Sequence, residues 1–314
     1  MVYVSFLLGL LMICKGGDWF VDAASGLAEI SGIPRYVIGA TIVSFATTMP
    51  EMIVSVAAAL QGHPVMAIGN AIGSVSANTG IILAISLVFM PVAIRAEEYL
   101  TKTIIYIGTL ILLLLSFKDR SFGNADCLFL LIAGILFLTV NVRSAVRTRE
   151  SAGDKRKKEK LFYHILWFII GAGCVIAGSR FLISSACSIA RIFHISEDII
   201  SVTILAMGTS LPEFVTTVTA IKKGESSLSI GNIVGANMID AAFILPVCTL
   251  LGRKALFVSE QMARIDMPVC LVLSVAALLP MLIRKKIRRA DGIVVLIIYS
   301  IYLILISGLF TYFF

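Results

Sequence analysis

The sequence predicts an all-α integral membrane protein whose ten transmembrane helices form two inverted-topology five-helix repeats. Three observations carry that expectation. Of the 314 residues, 59% are hydrophobic and only 14% charged, against roughly 45–50% apolar and about 25% charged in soluble domains. Apolar stretches of about 20 residues, each long enough to cross about 30 Å of hydrocarbon as a helix, recur from Val2 to Phe314. Finally, residues 40–78 recur without a gap at 202–240.

The first span, 2–24, opens with "MVYVSFLLGLLMIC". It lacks the basic leading region and A-x-A-like cleavage site of a signal peptide, so it is expected to stay as a helix. Spans 37–60 and 65–91 carry the first copy of the repeated stretch. Spans 103–117 and 125–142 close the first half; a run such as "TLILLLLSF" is apolar all round, unlike the alternating segments of about ten residues in a β-barrel. Spans 161–184, 199–221 and 227–250 restate the first three, and 266–283 and 291–313 restate the last two. The expected division is therefore 1–142 as the first five-helix repeat, 143–160 as a basic linker, and 161–314 as the second repeat.

A net charge of +7 would suggest a nucleic-acid partner in a soluble chain, but here the basic residues gather in particular connections. The densest is "NVRSAVRTRESAGDKRKKEK", residues 141–160. Taking it as cytoplasmic places most of the 26 lysines and arginines inside, including Arg35, Arg95, Lys102, Lys222, Lys223 and the cluster at 284–289. Lys118, Arg120, Arg191, Arg253, Lys254 and Arg264 are left outside, with Lys15 and Arg180 inside spans. This predicts a multi-pass cell-membrane protein with both termini outside. The basic linker suits anionic lipid headgroups, although a solvated, topology-setting loop accounts for it as well. The six cysteines are scattered through apolar segments with no C-x-x-C pair, which reads as small core residues and not as a metal cluster or disulfide frame.

The two copies read "ATIVSFATTMPEMIVSVAAALQGHPVMAIGNAIGSVSAN" and "VTILAMGTSLPEFVTTVTAIKKGESSLSIGNIVGANMID", with about 12 of 39 positions identical at a constant offset of 162. The register extends upstream through Gly16/Gly178, Ala24/Ala186 and Ile33/Ile195. A repeat of five spans, an odd number, makes the second half enter the membrane from the opposite side.

Each copy sets a proline and a glutamate together inside an apolar span. Pro50 and Pro212 each remove the hydrogen bond to the residue four earlier, which predicts loosened helix around Ala46 and Gly208. Carbonyls freed in this way are tolerated at membrane depth only where protein or a water-filled cavity satisfies them. Glu51, Glu213 and Asp240 are each costly in a bilayer, by at least about 2.5–3.5 kcal/mol for an unpaired charge. No lysine or arginine lies in spans two, three, seven or eight, so a proton or a bound cation must compensate.

The oxygen inventory favours the cation. Thr47 and Glu51 stand at i and i+4 on one helix face, as do Thr209 and Glu213, and Ser74 and Asn78. Calcium takes six to eight oxygen ligands, whereas transition metals prefer His or Cys; His63, His164 and His194 are expected at loops or span ends. The glycines of "AIGNAIG" (Gly69, Gly73) and "SIGNIVG" (Gly231, Gly235) would let helix backbones approach closely.

On these residues, "GTSLPE" with "GNIVGANMID" and the variant "ATTMPE" with "GNAIGSVSAN", the chain resembles the cation/calcium antiporter superfamily with its paired alpha-repeats, in particular the prokaryotic sodium/calcium exchangers. The motifs cover about a quarter of the chain, and the ten-helix inverted repeat matches the family architecture over nearly all of it. The resemblance implies electrogenic exchange of sodium for calcium by alternating access. Glu51 and Glu213 would be shared by both ions, with Thr47 and Thr209 completing the calcium site and also counting among the sodium ligands. Thr48, Ser74 and Ser210 would serve flanking sodium sites, helped by main-chain oxygens of Ser44 and Ala206. Asn78 and Asp240 would line the cavity, Asp240 joining the two glutamates as a metal-facing acid. Spans one and six would slide across this core as the gate.

Three departures from the family pattern stand out. Ala236 replaces a usual serine and removes a hydroxyl from a sodium site; Thr48 replaces a serine and keeps the oxygen; Ala46 replaces a glycine. Asp240 adds a charge where some relatives carry asparagine, and in related exchangers an acid there goes with potassium transport or protonation. A proton-coupled or potassium-assisted cation antiporter is thus the alternative. An enzyme is not expected: there is no H-E-x-x-H and no Ser/His or Cys/His set within the spans. The implied partners are calcium and sodium, as cargo and not as cofactors, together with the bilayer; neither nucleic acid nor a protein partner is implied. The 143–160 linker is too short to hold a calcium-sensing domain.

Overall fold

The computed structural model describes residues 2–89, 96–148, 156–192, 206–286 and 288–306. Its elements are α1 Val2–Ser31, α2 Arg35–Leu60, α3 Pro64–Phe89, α4 Ala96–Ser116, β1 Ser121–Phe122, α5 Asn124–Thr148 and α6 Arg156–Ile192. Then come α7 Ala206–Thr209, α8 Leu211–Lys222, α9 Ser226–Gly252, β2 Leu256–Phe257, α10 Met262–Arg284 and α11 Arg289–Ile306. Among the described residues nine helices are long and apolar enough to cross a membrane. Of the span expected at 199–221, residues 199–205 lie outside the described residues and the remainder forms α7 and α8. The chain is a helical, multi-pass membrane protein.

Side-chain exposure accords with a lipid surround. On α5, Leu128, Phe129, Ile132 and Ile135 are each more than half exposed, an arrangement that water would penalise and hydrocarbon does not. Several helices overrun the apolar spans: α6 has 37 residues and at 1.5 Å per residue is roughly 55 Å long. The apolar signal stops where charged residues begin, but a helix satisfies its backbone in water as well as in lipid, so the extra turns persist. Lys102, expected in a connection, instead lies within α4 and is 1% exposed.

The ends of α2 and α8 repeat each other. At the first, Gly62 N–H bonds Ala59 O and His63 N–H bonds Ala58 O; at the second, Gly224 N–H bonds Ile221 O and Glu225 N–H bonds Ala220 O. These are Schellman caps, and the φ angles of +82° at Gly62 and +73° at Gly224 are the left-handed geometry that glycine adopts without strain. The sequence does not foretell the two-residue antiparallel ribbon in which Ser121 pairs with Phe257 and Phe122 with Leu256. Widened π turns interrupt α2 at Gly39–Val43, α3 at Asn78–Leu83 and α9 at Asp240–Ile244, and another opens α10 at Met262–Asp266. Those in α3 and α9 begin at equivalent positions, 162 residues apart.

The fold groups into two compact units, Met1–Glu51 with Asn141–Ala236, and Met52–Val140 with Asn237–Phe314. In the first unit α1 and α6 pack along most of their length. A Cβ at Gly16 would meet Gly171 O, and one at Gly178 would meet Gly9 O. Gly9/Gly171 and Gly16/Gly178 are themselves pairs at the 162-residue offset, so the helices run antiparallel and exchange equivalent contacts. Phe20 and Phe168 pack as a tilted pair with ring centroids 4.6 Å apart, and Trp19 and Trp167 as another at 4.9 Å, beside this crossing. Lys223 Nζ reaches Asp22 Oδ1 at 2.7 Å, and Arg35 pairs with Glu225 at 3.0 Å.

In the second unit α11 packs along the C-terminal half of α3, where Tyr299 covers Gly80 and Gly292 meets Ala84 O. α10 lies against α4 and α11, and Tyr302 donates to Asp266 Oδ1 at 2.9 Å. Arg284 pairs with Asp291 at the turn between α10 and α11.

Candidate ion-binding site

The two proline motifs fold differently. Pro50 sits inside a continuous α-helical segment, Ser44–Leu60, so the expected loosening around Ala46 does not break α2; its irregular turn lies upstream at Gly39–Val43. The second motif does break: α7 ends at Thr209, Ser210 adopts φ −84°, ψ 10°, and α8 begins at Leu211 with Pro212 in its first turn. That is the position where a helix accepts proline, because the amide there has no intrahelical partner to lose.

Around these motifs the first unit collects buried oxygens. Glu51 is 1% exposed and Glu213 fully buried. Thr48 Oγ1 donates to Glu213 Oε1 at 3.1 Å, a direct bond from one motif copy to the carboxylate of the other. Glu213 Oε2 and Ser210 Oγ have no hydrogen-bond partner among the described residues. The Thr47 hydroxyl lies 3.3 Å from Ser44 O and 3.4 Å from Asn232 Oδ1. Ser44 is buried and bonds Thr41 O through its own hydroxyl. Thr209 is part-exposed at the end of α7, and Ala206 begins that helix.

What brings Thr47 and Asn232 together is a backbone-to-backbone crossing of α2 and α9. A side chain at Gly39 would strike Leu228 O, one at Gly231 would strike Tyr36 O, and one at Gly235 would strike Ser44 Oγ and the Ala40 backbone. The close approach expected of the glycines therefore holds for Gly231 and Gly235. Gly69 and Gly73 differ: among the described residues the first has only Met262 Cε, 3.9 Å from an added Cβ, and the second has nothing within 4 Å.

The second unit holds Ser74, Asn78 and Asp240, all at most 4% exposed. Asn78 opens the π turn of α3 and Asp240 that of α9; such turns cluster at functional sites. Asn78 Oδ1 accepts no hydrogen bond among the described residues. A polar set that the sequence reading did not single out joins here. Asn237 donates to Thr79 Oγ1 at 2.9 Å and to Tyr106 OH at 3.2 Å, and Tyr106 OH bonds Ser274 Oγ at 2.9 Å. The repeat hid it, because Asn237 aligns with Val75 and Thr79 with Ala241. A polar residue within an apolar span was the only sequence signal.

Of the histidines, His63 precedes α3 at a loop, as expected. His164 lies near the start of the apolar span Leu161–Phe181, as expected, although α6 itself begins earlier, and its ring fills the space over Gly26. His194 lies outside the described residues.

Comparison with known proteins agrees with this architecture. The family model described as sodium/calcium exchanger protein matches residues 1–143 and 163–308. An uncharacterized membrane protein of Methanocaldococcus jannaschii is 32% identical over 94% of this chain and 95% of its own. The sodium/calcium exchanger MaX1 of Methanosarcina acetivorans is 27% identical over 98% of this chain and 99% of its own. Among solved structures, the sodium-calcium exchanger NCX_Mj soaked with sodium and strontium matches with a TM-score of 0.84 and 28% identity, covering 96% of this chain and 97% of that one.

Proposed function

The chain belongs to the sodium/calcium exchanger family, whose members are transporters and not enzymes, and we propose that this cation/calcium antiporter exchanges sodium for calcium through the paired glutamates Glu51 and Glu213. The observation that carries the reading is the Thr48–Glu213 bond: a hydroxyl from the first motif lies on the buried carboxylate of the second. Buried carboxylates and hydroxyls are hard oxygen ligands, and the two glutamates together would supply the negative charge that a divalent ion requires.

In this reading Thr47 and Thr209 complete the calcium site. Thr48, Ser74, Ser210 and the main-chain oxygens of Ser44 and Ala206 serve sodium, and Asn78 and Asp240 line the ion's cavity. Coupling follows from occupancy. An empty site leaves carboxylates uncompensated in a medium of low dielectric, where charge is costly, and so disfavours the closed transition between facing states. Either load lowers that barrier, and competition for the same two glutamates makes the loads alternate.

Ten helices in two inverted repeats, divided at the 143–160 linker, belong to the same proposal, with both termini outside and the linker cytoplasmic. The reciprocal Gly16–Gly171 and Gly9–Gly178 contacts of antiparallel α1 and α6, the matched Schellman caps and the matched π turns support it. Ala236, fully buried and without a hydroxyl, and the buried acid Asp240 favour proton or potassium coupling as the second reading.

The test is uptake of radiolabelled calcium into sodium-loaded proteoliposomes diluted into sodium-free buffer, with Glu51→Gln alongside. Uptake that requires internal sodium and is lost in the variant is expected. Uptake driven by a pH gradient alone, or by added potassium, would replace sodium as the counter-ion, and undiminished uptake in the variant would overturn the site.

A further inference from the structure

The hydrogen-bonded set Thr79–Asn237–Tyr106–Ser274 has no task in the exchange reading, yet it is buried throughout and links α3, α9, α4 and α10 within one unit. Each member is at most 1% exposed. Asn237 gives its amide nitrogen to Thr79 and Tyr106, and Tyr106 is in turn held by Ser274. With the nitrogen tied back toward α3 and α4, the carbonyl oxygen occupies the opposite branch of the amide. Asn237 Oδ1 accepts no hydrogen bond among the described residues, and neither does Asn78 Oδ1, whose residue precedes Thr79.

Two buried amide oxygens without donors are unfavourable unless something positive reaches them. Asn237 stands three residues before Asp240 and so neighbours it on one face of α9, just where the π turn opens. The donor set of Asn78, Asn237 and Asp240 then holds two neutral carbonyls and one carboxylate. One negative charge balances one positive charge. Neutral carbonyl oxygens suffice to replace the hydration shell of an alkali ion, whereas calcium draws on several carboxylates, as Glu51 and Glu213 supply in the other unit.

We propose that Asn237 is a further ion-ligating residue, with Tyr106 as its positioning residue, and that its carbonyl oxygen serves the monovalent cation and not calcium. The proposal rests on the exchange reading only for the role of that cation as a transported ion.

The test uses purified full-length protein in detergent and reads thermal stabilisation against sodium, potassium and calcium chloride, with choline chloride holding ionic strength constant. In Asn237→Leu the half-saturating concentration of the alkali ion rises about five-fold, the loss of about one hydrogen-bond-sized contact, while that of calcium stays unchanged. Tyr106→Phe moves the alkali ion in the same direction by less, and it carries the test by itself if the leucine variant does not fold. A structural role would shift both ions together or lower only the yield of folded protein; either result overturns the proposal, as does wild-type protein that no alkali ion stabilises. Because binding is read without flux, the Asn237 signature in a protein that fails to exchange sodium for calcium would sink the exchange reading and leave this one standing.

Discussion

The helix carrying "ATTMPE" and the broken segment carrying "GTSLPE" accommodate the same proline–glutamate pair in different ways. In the first, α2 runs continuously past Pro50 and widens upstream at Gly39–Val43; in the second, the chain breaks at Ser210 and restarts with Pro212 in the first turn of α8. The residue four before each proline is not what separates them: Ala46 favours helix over Gly208 by about 1 kcal/mol, yet Gly208 is itself helical in α7 and the chain leaves the helix two residues later, at Ser210. The crossings differ too, since Gly231 and Gly235 press on backbone, whereas Gly69 and Gly73 touch almost nothing among the described residues. Matching sequence copies thus need not have matching mechanical roles.

The largest effect expected tests whether the two copies are equal where charge is concerned. Glu51→Gln and Glu213→Gln should each reduce calcium uptake by about a hundred-fold or more, corresponding to roughly 3 kcal/mol, because each removes one of the two glutamate charges that the divalent ion would share. Proteoliposome flux for the two variants side by side decides it. One variant that retains uptake would show that a single carboxylate carries the ion.

Next comes the mechanical asymmetry. Gly231→Ala places a Cβ against the Tyr36 carbonyl, which as backbone cannot swing aside, and should destabilise by about 1–3 kcal/mol, the usual cost of overpacking. Gly69→Ala, with space for its Cβ inside α3, should be neutral or stabilising by up to about 1 kcal/mol. Thermal unfolding of both in detergent checks the pair, and equal losses would erase the distinction.

How far the sequence spoke for itself follows from the same contrast. Most spans were legible because apolar run length is a strong local signal, and the gapless repeat flagged the two motifs from which the structure buries Glu51 and Glu213 and bonds Thr48 to Glu213. Asn237 and Tyr106 were not, because their significance lies in contacts among four helices and no repeat partner flags them. The break at Ser210 was foreseen only as loosening near Gly208, since proline fixes where a hydrogen bond is lost but not which neighbouring residue leaves the helix. Lys102 was misplaced because a charge at the edge of an apolar run resembles a loop, whereas α4 starts earlier, at Ala96.

A smaller effect sharpens the link between the copies. Thr48→Val keeps the shape of the side chain but removes the donor to Glu213 Oε1, leaving a fully buried carboxylate short of one hydrogen bond. Apparent affinities for both ions should fall several-fold, by about 1 kcal/mol or somewhat more for a charged acceptor. Thr48→Ser, which keeps the hydroxyl, should stay near wild type. If valine and serine behave alike, the bond seen between the copies does not contribute to ion binding.

The smallest expected change concerns the position at which the copies differ by one oxygen. Ser74 keeps its hydroxyl, 4% exposed, while its counterpart Ala236 is fully buried and has none. Serine exceeds alanine by a single atom, so Ala236→Ser needs little repacking and asks only whether an added oxygen finds a cation. If residue 236 faces a sodium site, the half-saturating sodium concentration should drop about two- to five-fold, the net worth of one additional polar contact, with calcium affinity unchanged. A hydroxyl at 236 that instead lacked a partner would be a buried polar group without compensation, and its signature would be a lowered unfolding temperature with no gain in sodium affinity. The sign of the stability change in sodium-free buffer therefore reports what residue 236 faces, independently of whether flux improves. A stabilised variant indifferent to sodium would mean that the hydroxyl bonds protein, and that the missing oxygen of the second copy is not a missing ligand.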